Sequence, residues 1–267
     1  PIQKTRIEAI LHSAKAGYEE LLPNIRRKAT HINPAEQEAC CFALGVLKDT
    51  HALSILQKLS LSTNDNVNLA ANYSLYLLGE ESAKEKIFSL AKERNLFAIA
   101  ILGKIIGSEK TLISLLQKNH LQIRFNAMLS LLDLKNEGCL PYLKEFLVRD
   151  SRDFGFQPQM TIGNAFTAWK VLPSMQQHMK HSFYDLIGLS LYVKEEILKK
   201  SIELSPGAFV DLASFLLDTR QLELIPSISS LLQNLQTPKA IALIRKSFNF
   251  VPSYQERVIL KTKPLLN

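Results

Sequence analysis

Three cysteines, one tryptophan and ten glycines in 267 residues leave several protein classes without their raw material. Three is an odd number, and Cys40 and Cys41 are neighbours, a spacing that rarely closes a disulfide. Both features argue against a disulfide framework. The three thiols read as small apolar core residues, and the expected compartment is the reducing cytoplasm. The longest uninterrupted apolar run is Leu96–Leu102, far short of the roughly 20 residues that a membrane span needs. The opening "PIQKTRIEAIL" lacks the apolar core of a secretory signal. It also lacks Met, which leaves a removed leader or a longer parent chain open. No trusted run of alternating apolar and polar residues marks a strand.

Motifs of catalysis are also missing. Asp153-Phe154-Gly155 spells the metal-binding tripeptide of protein kinases, but no GxGxxG loop and no HRD loop accompany it. The tripeptide is read as part of a loop. There is no Walker motif, no local triad spacing and no paired-carboxylate motif, so no catalytic residue is assigned and the expectation is a protein that is not an enzyme. His178, His181 and Asp185 share one helical face, as metal ligands can, but no fourth ligand is placed and they are read as surface residues. Cys40 and Cys41, with His31 or His51, are read as burial and not as a thiol or metal site. No metal and no cofactor is expected.

The net charge is +7. Residues 1–150 hold 19 basic and 16 acidic side chains and the remainder 13 and 9, so the excess is spread evenly. A nucleic-acid binder concentrates charge on one face. The densest basic cluster is Ile25-Arg26-Arg27-Lys28, read as a solvated helix face.

What the chain does have is a repeat. "ACCFALGVLKD", "AANYSLYLLGE", "FAIAILGKIIG" and "NAMLSLLDLKN" align on Ala43, Ser74, Ile101 and Ser130. One residue later stands Leu44, Leu75, Leu102 or Leu131; four later, Leu47, Leu78, Ile105 or Leu134; three earlier, the small Cys40, Ala71, Ala98 or Ala127. These offsets trace one face of an α-helix. A polar break and a second apolar pattern follow each time, with Leu56, Ile87, Leu115 and Leu143 equivalent. Each unit is thus two helices that cannot hide their apolar faces alone, and stacking the units solves this.

These units resemble HEAT repeats, most closely the bacterial kind also found in phycobilin lyases. Val67 matches the family's valine, Ile123-Arg124 its valine-arginine pair, and Ala43-Leu44-Gly45 its Ala-Leu-Gly turn. Asn68 stands where the family has arginine, and Tyr76 where it has glycine. The resemblance implies an all-α fold, a right-handed α–α superhelix or HEAT/armadillo-like solenoid. Residues 1–30 form a capping helical pair, residues 31–148 the repeats and residues 149–159 an insertion loop. Residues 160–267 continue as irregular helical repeats, with a separate C-terminal helical domain from about residue 175 as the alternative. "IGNAFTAWKVLP" fits the repeat template, with Ala165 at the small position and Trp169 at the invariant leucine.

In HEAT proteins the second helix of each unit lines a concave face, and the resemblance assigns the aligned helices to that row. Its remaining positions are apolar and aromatic, with no ladder of Lys or Arg. Such a row is either covered or exposes a stripe that takes proteins or amphipathic peptides. The expected function is a non-enzymatic protein-binding or scaffolding module. Its contact residues are Phe42, Tyr73, Tyr76, Phe125 and Leu129, with Phe154 and Phe156 either at the groove's rim or folded back to seal the ridge between units. The alternative is nucleic-acid binding, as in the HEAT-like DNA glycosylases, whose site residues have no counterparts assigned here. A tetrapyrrole lyase is a third reading that rests on repeat flavour alone.

Overall fold

The computed structural model describes residues 2–148, 155–160, 167–172 and 183–248. Among these the protein is predominantly helical, with fourteen α-helices and a pair of strands. They form two compact units, Pro1–Thr111 with Pro158–Trp169, and Leu112–Gln157 with Lys170–Asn267.

The first unit opens with α1 (Ile2–Ala16) and α2 (Leu22–Ala29), which both pack on α3 (Pro34–Val46). It continues with α4 (Leu53–Leu59), α5 (Asp65–Leu77), α6 (Glu81–Lys92) and α7 (Leu96–Leu102), and its boundary falls inside α8 (Glu109–Leu116). The helix starts are set by a residue that recurs. Asn33, Asn64 and Asn95 stand before α3, α5 and α7, each in extended backbone. Each side-chain oxygen accepts from the amides two and three residues on, which satisfies donors that a helix start leaves orphaned.

The helix ends recur too. Lys48 and Gly79 adopt positive φ, 53° and 95°. The next amides, those of Asp49 and Glu80, donate back to the carbonyls of Leu44 and Leu75 at 3.0 Å. This is the Schellman closure, and the leucine that aligned the repeats is the residue that receives it.

Small residues bring α3 and α5 together. A Cβ on Gly45 would lie 2.5 Å from Ser74 Oγ and 2.7 Å from Ser74 Cα. The Ser74 hydroxyl donates to the carbonyls of Cys41 (2.6 Å) and Ala70 (2.8 Å), so its buried polar atom is satisfied. Cys40, Cys41, Leu44, Leu56, Ala71 and Leu75 close one core around this approach.

The second unit contains α9 (Leu121–Asp133), α10 (Leu140–Val148), α11 (Phe183–Ser201), α12 (Pro206–Asp218), α13 (Ile225–Gln233) and α14 (Pro238–Ser247). Here α12 and α13 copy α9 and α10. Both first helices have 13 residues and both second helices nine, and a 3-10 turn precedes the second helix in each, Glu137–Cys139 and Leu222–Leu224. Lys135 and Arg220 take positive φ, 57° and 55°, and the amides of Asn136 and Gln221 donate to Leu131 and Leu216 at 2.9 and 3.0 Å. The helical-pair unit therefore recurs in the half whose register looked irregular.

One expectation is corrected. Thr167–Leu172 is a strand, β2, and not a repeat helix. It pairs with β1 (Gly155–Met160) in a two-stranded sheet, so part of the expected insertion loop is also strand. "TAWKVL" puts Thr, Trp and Val, all good strand residues, in a run too short to be a stable helix. In β1, Pro158 is tolerated because both strands of a two-stranded sheet are edges. Trp169 accordingly sits in β2, and Ala165 lies outside the described residues.

Candidate protein-binding face

The first helices of four pairs, α3, α5, α9 and α12, have equal length and the same C-terminal closure, so their positions correspond. The ninth position holds Phe42, Tyr73, Leu129 and Ser214; the fifth holds Glu38, Leu69, Phe125 and Val210. Tyr73 and Tyr76 are both half-buried, and Tyr76 packs its ring on the core below. Burial pushes the Tyr73 phenol up from its usual value, and the neighbouring Tyr76 adds to this. The Tyr73 phenol therefore presents a neutral ring. Phe42 is half-buried against Ile7, Leu11, Ala35 and Ala39, so α1 covers part of its ring. Leu129 is half-buried in the second unit.

Phe125 is placed differently from the expectation. It is 2% exposed, and its ring meets Phe146 edge-on, with centroids 5.1 Å apart and planes at 70°. It is a core residue and offers no surface to a partner. Phe154 lies outside the described residues. Phe156 falls in β1, and only its backbone is described.

The three thiols are placed in the core. Cys40, Cys41 and Cys139 are free and buried. Burial pushes Cys40 and Cys139 up to about 12 and Cys41 well above its usual value, so the reactive thiolate is suppressed. Among the described residues no group of three or more His, Cys, Asp or Glu could hold a metal ion. His178 and His181 lie outside the described residues, as does Asp153.

The basic cluster on α2 is largely tied down. Arg26 pairs with the buried Asp49 at 3.1 Å, Lys28 approaches the buried Glu36 at 3.9 Å, and Arg27 donates to Asn24 at 3.3 Å. Arg6 Nε also donates to Glu36, at 2.8 Å. Arg124, at the position where the resemblance places an arginine, pairs with Glu145 and lies over the rings of Tyr142 (5.4 Å) and Phe146 (5.9 Å). Asn68, in the corresponding place on α5, donates instead to the carbonyl of Ser60 at 2.7 Å and ties down the end of α4. Among the described residues no helix is long and apolar enough to cross a membrane.

Sequence reasoning missed one surface. A cleft of about 770 Å³ opens between α12 and α14, lined by Pro206, Val210, Ser214, Pro238, Ala242 and Leu243 among others. Its signal was present in "SPGAF" and "TPKAI". Ser205 and Thr237 cap α12 and α14 by accepting from Ala208 and Ala240, and a proline follows each.

No protein-family model matches the chain, and no curated protein matches it. The class defined by the fold is a predominantly helical protein with a recurring two-helix unit.

Proposed function

We propose that this chain is a non-enzymatic protein-binding or scaffolding module whose helical pairs stack as a HEAT-type, right-handed α–α solenoid. Its binding face lies on the aligned helices and is centred on Tyr73 and Tyr76 of α5, with Phe42 of α3 and Leu129 of α9 at the positions that correspond to Tyr73. The observation that supports this reading is the half-burial of Tyr73 and Tyr76 on a helix whose small residues are already spent on packing. Large, stiff, amphipathic rings in that state carry binding energy at low entropic cost. Phe125 has no part in the face. The free, buried thiols fit the expected reducing, cytoplasmic setting. Nucleic acid is the weaker reading, because the basic cluster on α2 is largely engaged with Asp49, Glu36 and Asn24.

The test is affinity capture from a nuclease-treated source lysate, comparing the natural chain with Tyr73→Ala/Tyr76→Ala. The expected result is a protein partner held by the natural chain and lost by the double variant, with helicity unchanged. Equal capture by both would remove the tyrosine face from the proposal. A partner that disappears on nuclease treatment alone would transfer the role to nucleic acid.

A further inference from the structure

We infer that the cleft between α12 and α14 is a second docking site, for a short peptide that combines a large apolar side chain with a neighbouring carboxylate. The inference rests on the protein-binding reading above but places the contact on a different pair of helices. Three observations carry it.

The first is why the cleft is open. At the ninth position α12 has Ser214 where α3, α5 and α9 have Phe42, Tyr73 and Leu129. Gly207 and Ala242 are small as well, and a Cβ on Gly207 would come no closer than 3.9 Å to Ser205 Oγ. Ser214 therefore leaves the ninth position of α12 without the ring or leucine that the other three helices carry there, and Ser214, Gly207 and Ala242 all line the cleft.

The second is the size and lining. About 770 Å³ lies within the roughly 300–1,000 Å³ of ordinary binding sites. Val210, Ala242 and Leu243, with the rings of Pro206 and Pro238, make an apolar lining for a Leu-, Phe- or Trp-sized side chain.

The third is charge. The cleft's acid, Asp211, is already neutralised by Lys144, whose Nζ stands 2.5 Å from Oδ2. Asp218, which accepts from the Ser214 hydroxyl at 3.4 Å, is neutralised by Lys246. Lys239 lines the cleft, is exposed, and has no acidic partner among the described residues. The open cation is on the first turn of α14, where the helix dipole also favours an anion. A carboxylate beside the apolar anchor complements it.

The experiment pans a random 12-residue phage-displayed peptide library on the full chain, then measures enriched synthetic peptides by fluorescence anisotropy. The expected consensus is a large apolar residue next to Asp or Glu. Ser214→Trp, which fills the cleft, should weaken binding by at least roughly tenfold, with Ala242→Trp as a second filling variant and circular dichroism and melting as checks on folding. Lys239→Glu should weaken it by roughly tenfold and move a repeated selection toward Lys or Arg. Tyr73→Ala/Tyr76→Ala should leave it unchanged. Enrichment without an acidic residue, or binding indifferent to both filling variants, overturns the inference. Binding lost with the tyrosines and kept on filling overturns it while sparing the tyrosine face. No enrichment, as when residues 249–267 of the chain or a second copy occupy the cleft, also overturns it.

Discussion

The α3–α5 pair and the α12–α14 pair begin alike and end in opposite states. Each helix starts on a polar cap, Asn33 and Asn64 in one pair, Ser205 and Thr237 in the other. In the first pair Gly45 and Ser74 let the helices touch almost backbone to backbone. In the second pair Gly207, Ser214 and Ala242 line a cleft of about 770 Å³ left between the helices. Small residues therefore do two unlike things in one architecture. Turned toward the neighbouring helix they close an interface; turned along the shared face they open one.

The largest expected effect sharpens this contrast at the fifth helical position. Phe125 is buried against Phe146, whereas Val210 lines the cleft half-exposed. Phe125→Ala should cost about 3–5 kcal/mol, because a cavity replaces a ring that already packs on another. Val210→Ala should cost less than about 1 kcal/mol, since the side it faces is already empty. Urea unfolding of the two variants checks this, and equal losses would mean that the cleft is closed in solution.

Next in size is one substitution made twice. Gly45→Ala places a methyl 2.7 Å from the Ser74 Cα, so a backbone must move, at about 1–3 kcal/mol. Gly207→Ala meets nothing nearer than 3.9 Å and sits on the first turn of a helix. There alanine should be neutral or stabilising by up to about 1 kcal/mol. Thermal melts of the pair should shift in opposite directions or by clearly different amounts. A harmless Gly45→Ala would refute the close α3–α5 approach.

The repeat was legible because burial on one face imposes a fixed offset pattern, in which Leu44, Leu75 and Leu131 recur as buried core side chains. Its recurrence in α12 was hidden by side-chain size. Leu212 and Phe215 stand where Cys40, Ala71, Ala43 and Ser74 stand, so a search for small residues passes over them. The backbone signals survive there, in Ser205-Pro206 and in Leu216 with positive-φ Arg220. The strand pair was illegible for a different reason. Ala165 and Trp169 satisfy a helical template by spacing alone, and spacing over so short a run does not choose between helix and strand. Phe125 was misjudged because its outward direction came from the family resemblance, whereas its burial depends on Phe146 from another helix. Pairings across elements, such as Arg26 with Asp49 over a chain separation of 23, leave no local trace at all.

The smallest expected effect tests what the two pairs share. Asn64 accepts from the amides of Asn66 and Val67 at 3.1 and 3.2 Å, and Ser205 accepts from that of Ala208 at 3.2 Å. Asn64→Ala strands two amides at a helix start and Ser205→Ala one, and the loss of either cap costs about 1 kcal/mol. That cost depends on the cap and the first turn, not on the packing face, so the two losses should agree within about 0.5 kcal/mol despite the closed interface beside one and the cleft beside the other. Asn64→Asp should restore most of the loss, since a carboxylate accepts the same amides and favours the positive end of the helix dipole. A much larger loss at Asn64 than at Ser205 would show that the cap also holds α5 in place against α3. The close approach at Gly45 and Ser74 would then depend on where the helix begins and not on its small residues alone.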